Sequence, residues 1–126
     1  MGNDVRKTYR GLIQSRDADT SSLCEDIGRQ LAMVVTCKED VADFLVELQE
    51  KDHHVVIFDV EQAGREKLKW VKLIRRLRPK LPLIIICDQI DQNTEAKMHE
   101  EKIFYLGLRP LDREVLCSII KAALGI

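Results

Sequence analysis

The 126-residue sequence has no long apolar run. Its longest hydrophobic stretches stay far below the ~18 residues of a membrane-crossing helix, so no spanning segment is expected. The first ten residues are polar and mixed in charge, without the roughly 7–15-residue apolar core of a secretory leader. A cytoplasmic location is the resulting expectation. No CxxC pair joins the four cysteines, Cys24, Cys37, Cys87 and Cys117, and no histidine accompanies them at ligand spacing. Metal or redox chemistry is therefore disfavoured, and buried free thiols are expected. The three histidines, His53, His54 and His99, have no carboxylate or thiolate suitably spaced to complete a metal site. GxGxxG, a phosphate-cradling glycine loop and a Ser-His-Asp constellation are all missing, which argues against a dinucleotide cofactor and hydrolase chemistry. Net charge is −1, so no global field draws in nucleic acid or an anionic membrane. Repeats, linkers and low-complexity tracts are absent too.

What remains is a soluble-domain composition, 45% hydrophobic and 33% charged. A chain of this length buries enough surface to fold as one unit. Residues 1–126 form one domain, with 1–8 expected as a loose extension. Short apolar runs alternate with helical patterns. Gly11-Leu12-Ile13 reads as a strand. Ser22 and Glu25 have capping-box spacing, and Leu23, Ile27 and Leu31 recur at helical period. Ala32 to Val35 reads as the second strand. Thr36 and Glu39 repeat the capping-box spacing before the helical stripe Val41, Phe44, Leu45 and Leu48. His54 to Phe58, ending at Asp59, and Leu83 to Ile86, ending at Cys87-Asp88, are continuous apolar runs. Such runs indicate strands covered on both faces. Between them lie a turn at Gly64 and the stripe Leu68, Val71, Ile74 and Leu77. A weak helix signal follows over 89–102, then a fifth strand over 103–106. The last helix starts at Asp112, with Val115, Leu116, Ile119, Ile120 and Ala123 inward. The order is (βα)5, a doubly wound five-stranded parallel sheet whose chemistry gathers at the carboxyl ends of the strands.

VVIFDV at 55–60, LIRRLRPKLPLIII at 73–86 and LRPLDREVL at 108–116 resemble the receiver (CheY-like) domain of two-component response regulators. The resemblance covers residues 9–124. It implies a flavodoxin-like fold and places Asp59 as phosphoacceptor. Leu81-Pro82 falls at the family's Leu-Pro, and Arg109-Pro110 where Lys-Pro is usual, commonly with a cis bond.

The chain also departs from that pattern. The family's two metal-holding acidic residues correspond to Ser15-Arg16, with Asp17 just beyond. Magnesium wants several oxygen ligands, and an arginine would repel it. Cys87 stands where Ser or Thr steadies the phosphoryl group, and it is a poorer donor. Arg109 replaces lysine, Ala63-Gly64 replaces Pro-Gly, and Leu106, with Tyr105 beside it, falls at the switch aromatic.

The resemblance thus implies a degenerate receiver. Asp59 is ringed by Ser15, Arg16, Asp17, Glu61, Cys87, Arg109 and Pro110, and no residue is assigned a catalytic role. Arg16 has two readings: it points at Asp59 in place of the magnesium, with Arg109 approaching from the other side, or it projects into water. No cofactor is expected. Magnesium is the one candidate, with Asp17 and Asp59 as its weak ligands. A first rival is a phosphorylatable receiver using Asp59 with metal ligands from Asp17 or Asp19. A second is a flavodoxin-like small-ligand binder. The chain is not expected to be an enzyme beyond slow self-catalysed phosphoryl transfer at Asp59.

Lys67, Lys69, Lys72, Arg75, Arg76, Arg78 and Lys80 make a basic third helix. A solvated face, an acidic protein partner and nucleic acid are its three readings, with direct nucleic-acid binding disfavoured by the missing aromatics. Trp70 lies beside the apolar stripe, either packed at the helix edge or facing another protein. The resemblance implies an output domain or a histidine kinase as partner. It also implies a homodimer through the last two helices and the fifth strand.

Overall fold

The computed structural model describes residues 8–126. The expected extension over 1–8 lies, apart from Thr8, outside the described residues. The elements run β1 (Tyr9–Gln14), α1 (Ala18–Gln30), β2 (Met33–Lys38), α2 (Val41–Glu50), β3 (Val55–Gln62), α3 (Arg65–Leu77), β4 (Leu83–Gln89), α4 (Gln92–Glu100), β5 (Tyr105–Leu108) and α5 (Arg113–Leu124). All strand pairs are parallel, in the order β2-β1-β3-β4-β5. The sheet is the doubly wound (βα)5 arrangement expected from the sequence.

Both faces of β3 and β4 are covered, which is why their sequences are apolar without alternation. Leu12, Val56, Phe58 and Ile85 face a core shared with Phe44 and Leu48 of α2 and Leu68, Val71 and Ile74 of α3. Phe44 and Phe58 stack there with ring centroids 5.7 Å apart. Ile13, Ile57, Ile84 and Ile86 face the opposite core, closed by Cys24 and Ile27 of α1 and Leu116 and Ile120 of α5. Gly28 lets α1 approach β2. An ideal Cβ there would lie 2.5 Å from Val35 Cγ2. Trp70 is half-buried and packs against the first core.

Several boundaries differ from the sequence reading. Asp17, not Ser22, caps α1, and Asp40, not Thr36, caps α2. In each case the Asp carboxylate accepts the N–H three residues on, an orphan donor that the sequence's Ser or Thr is badly placed to reach. Thr36 is instead paired with Leu12 in β2, which runs on to Lys38. Asp91 and Asp112 cap α4 and α5 in the same way. β5 begins at Tyr105, two residues later than expected, after Lys102 turns the chain with a φ of 58°. Val115 is 46% exposed rather than inward, because Leu116 and Ile120 set the buried ridge of α5.

Two arginines of the basic stretch serve the fold. Arg75 donates to the carbonyls of Arg78, Pro79 and Leu81, and reaches Glu101 and Lys102 at the end of α4. Arg78 donates to Leu48, Gln49 and Lys51 at the end of α2. Helix C-termini leave carbonyls without intrahelical partners and carry partial negative charge, so a guanidinium satisfies them twice over.

His53, before β3, has a nearly buried side chain whose Nδ1 has no hydrogen-bond partner. Burial holds its pKa below the ordinary 6.5. Arg78 and Arg10 push the same way, and Glu47, 3.8 Å away, opposes them. As pH falls through 6.5 the unfolded chain takes up this proton first. The His53 contribution is therefore intact above that pH and is lost below it. Urea midpoints measured between pH 7 and 5.5 should fall with acidification, and His53→Gln should flatten that slope.

Candidate functional site

The carboxyl ends of β1, β3, β4 and β5 converge where the sheet order reverses between β1 and β3. Asp59 sits at this point on β3, and its side chain is fully buried. A bulge follows it, and Glu61 adopts a φ of 57°, the left-handed region uncommon for a side-chain-bearing residue. That turn aims the Glu61 N–H at Asp59 Oδ1, 3.0 Å away.

Arg109 follows β5, just before the cis bond to Pro110. Its guanidinium meets Asp59 in a fork: Nη2 to Oδ1 at 2.7 Å and Nη1 to Oδ2 at 3.0 Å. Nε donates to Asp88 Oδ1 at 2.7 Å, and Nη1 also reaches Thr20 Oγ1 at 3.1 Å. The Thr20 hydroxyl in turn donates to Asp17 Oδ2 at 2.6 Å. Ser15 Oγ donates to Asp59 Oδ2 at 2.7 Å and accepts from the Asp17 N–H at 3.1 Å. Each Asp59 oxygen thus has two donors, which fills the roughly four lone-pair sites of a carboxylate.

The electrostatics follow from this network. The Asp59 hydrogen bonds raise the Arg109 pKa above its ordinary value despite partial burial, with Asp88 assisting. The Thr20 hydroxyl lowers the Asp17 pKa. Burial pushes the Cys87 thiol up to about 11, against the pull of Arg109, so it is a neutral thiol near pH 7. Burial likewise pushes Cys24 up to about 12 and Cys37 up to about 11.

Of the two readings of Arg16, the structure shows the solvent-facing one. Its side chain is exposed and makes no bond to Asp59. The residue that does reach Asp59 is Ser15, directly after β1, whose backbone N–H is still held by the Lys38 carbonyl of β2 while the chain bends at Arg16. The cation on Asp59 is Arg109. Arg16, Asp17, Asp19, Glu61, Asp88, Arg109 and Pro110 line an open cleft of about 670 Å³ above the carboxylate. Thr20 joins the network without having been singled out, and Asp88, read only as the polar end of β4, joins it as the second carboxylate on Arg109. The available signals were the position of Thr20 three residues after a capping Asp and that of Asp88 at the tip of β4.

The residues present do not fit magnesium. Asp59 is filled by its donors, Asp17 is committed to capping α1, and a guanidinium occupies the space a cation would need. Among the described residues no group of three His, Cys, Asp or Glu side chains could hold a metal. Nor is any helix among them long and apolar enough to cross a membrane.

No protein-family model matches the sequence, and no curated protein matches it. Solved structures do. A CheY-like response regulator receiver domain protein from Methanospirillum hungatei JF-1 superposes with a TM-score of 0.84 at 16% identity, covering 94% of this chain and 95% of that one. A response regulator from Thermotoga maritima gives 0.85 at 15%, covering 95% and 100%. The BeF3-activated DrrB receiver domain gives 0.81 at 21%, also covering 95% and 100%. At these identities the likeness is one of fold, and the chain has the CheY-like receiver fold.

Proposed function

We propose that this domain is a degenerate receiver, a signalling module whose switch position is closed by its own arginine and which acts by contact with other proteins. The observation that carries this reading is the saturation of Asp59 by Arg109, Ser15 and the Glu61 N–H. A carboxylate attacking a phosphoryl group must present a free lone pair, and its charge must be offset where the two anions meet. Here the lone pairs are occupied, and the neutralising cation lies on the attacking oxygens. The site therefore works without magnesium and without turnover. Structural neighbours are parts of response regulators, which supports a place as the regulatory domain of a larger regulator, joined to an output domain or a kinase. The free thiols suit a reducing cytoplasm. Self-association would use the face formed by α4, β5 and α5, where Phe104, Leu108 and Val115 are exposed.

Incubation with acetyl phosphate and magnesium, followed by intact-protein mass measurement, should show no added phosphoryl group. A single addition that disappears in Asp59→Ala would overturn the closed-site reading.

A further inference from the structure

The charge of this protein is unevenly placed. Residues 65–80 hold eight of its 20 Lys and Arg but one of its 21 Asp and Glu, so this stretch carries +7 and the rest of the chain −8. Arg75 and Arg78 are spent on backbone carbonyls. Five others, Arg65, Lys69, Lys72, Arg76 and Lys80, are exposed, and none is in an ion pair among the described residues. Arg65, Lys69, Lys72 and Arg76 recur at i+4, i+3 and i+4, which sets them in one row about 16 Å long on α3.

Such a row opposes the folding of its own helix. Like charges at these spacings repel, and Arg65 lies at the end of α3 where the helix dipole disfavours a cation. α3 also begins at Gly64 without the side-chain cap that Asp supplies to the other four helices. Along one edge of the row Leu73 is 37% exposed, with Lys69 and Arg76 one turn away along the helix. An exposed leucine beside a basic row favours a protein partner, since a purely ionic polyanion contact gains nothing from leucine.

We infer that the outer face of α3 docks an acidic, amphipathic segment of a partner protein, whose carboxylates meet Lys69, Lys72 and Arg76 while an apolar side chain covers Leu73. The Arg75 and Arg78 clamps hold α3 to α2 and α4, so the row is presented in a fixed geometry. The net −8 of the rest of the chain works against a nucleic-acid partner. The inference deepens the reading of the domain as an interaction module and supplies its partner's chemistry.

The test is fluorescence anisotropy with a labelled synthetic helical peptide carrying Glu along one edge and Leu in the centre. Binding should weaken with salt and fall by at least about tenfold in K69E/K72E/R76E. Leu73→Ser alone should weaken it by about fivefold. Circular dichroism should show all variants folded, and the charge-reversed one melting no lower than the parent, because the repulsion along α3 is relieved. Equal affinity of parent and charge-reversed protein would overturn the proposal. So would an oligoglutamate binding as tightly as the leucine-bearing peptide, or a DNA duplex binding more tightly. Failure here with Asp59 still unmodified by acetyl phosphate removes only the α3 surface. Phosphorylation with peptide binding intact removes only the closed site.

Discussion

Arg109→Ala is expected to cost about 3–5 kcal/mol of folding free energy, because it leaves the buried Asp59 charge with no cation. The parent geometry is a two-point fork of 2.7 and 3.0 Å on a fully buried carboxylate, and the same guanidinium also holds Asp88 and Thr20. After truncation only Ser15 Oγ and the Glu61 N–H remain as donors to Asp59. Urea denaturation measures the loss. Asp59→Ala/Arg109→Ala should be more stable than Arg109→Ala alone, since no buried charge is stranded. The coupling from the full cycle should be large and favourable. Arg109→Lys should fall between, keeping the charge but losing the planar fork. A loss below about 1 kcal/mol for Arg109→Ala would class the pair with exposed ion pairs and undo the closed-site reading.

Arg75→Ala is the second large effect. It should lose about 2–3 kcal/mol, in the range of charge-assisted hydrogen bonds left unmade. Five carbonyls lose a donor at once: three in the turn before β4 and two at the end of α4. Its neighbour Arg76 is exposed and bonds to none of them, so Arg76→Ala should stay within about 0.5 kcal/mol. Hydrogen exchange should show faster opening of the α4 terminus in Arg75→Ala only. Equal effects of the two substitutions would mean that the clamp contributes little.

The sheet was legible because β3 and β4 are apolar without a break and their helices carry clean stripes. Phe44, Leu48, Leu68, Val71 and Ile74 are buried as their spacing predicts. Capping was not legible by motif alone. Ser22 and Thr36 had the spacing, but Asp17 and Asp40 stood at the true starts, and only backbone geometry distinguishes these. At the site, where β1 ends and the chain bends decides whether Ser15 or Arg16 meets Asp59, and a one-residue difference reverses the answer. The basic stretch misled in another way. Composition counts Arg75 and Arg78 with the lysines, whereas three-dimensional contacts remove them from the surface charge.

Arg109 ties the tips of β3 and β4 and the start of α1 to the end of β5. A domain that alternates between two shapes offers its partner only the competent fraction, and apparent affinity drops by that fraction. On the closed-site reading proposed above, a pin spanning these elements would hold the domain in one arrangement, and association with a partner would incur no such penalty. The amount of domain present, rather than its conformational equilibrium, would then set the occupancy of a partner.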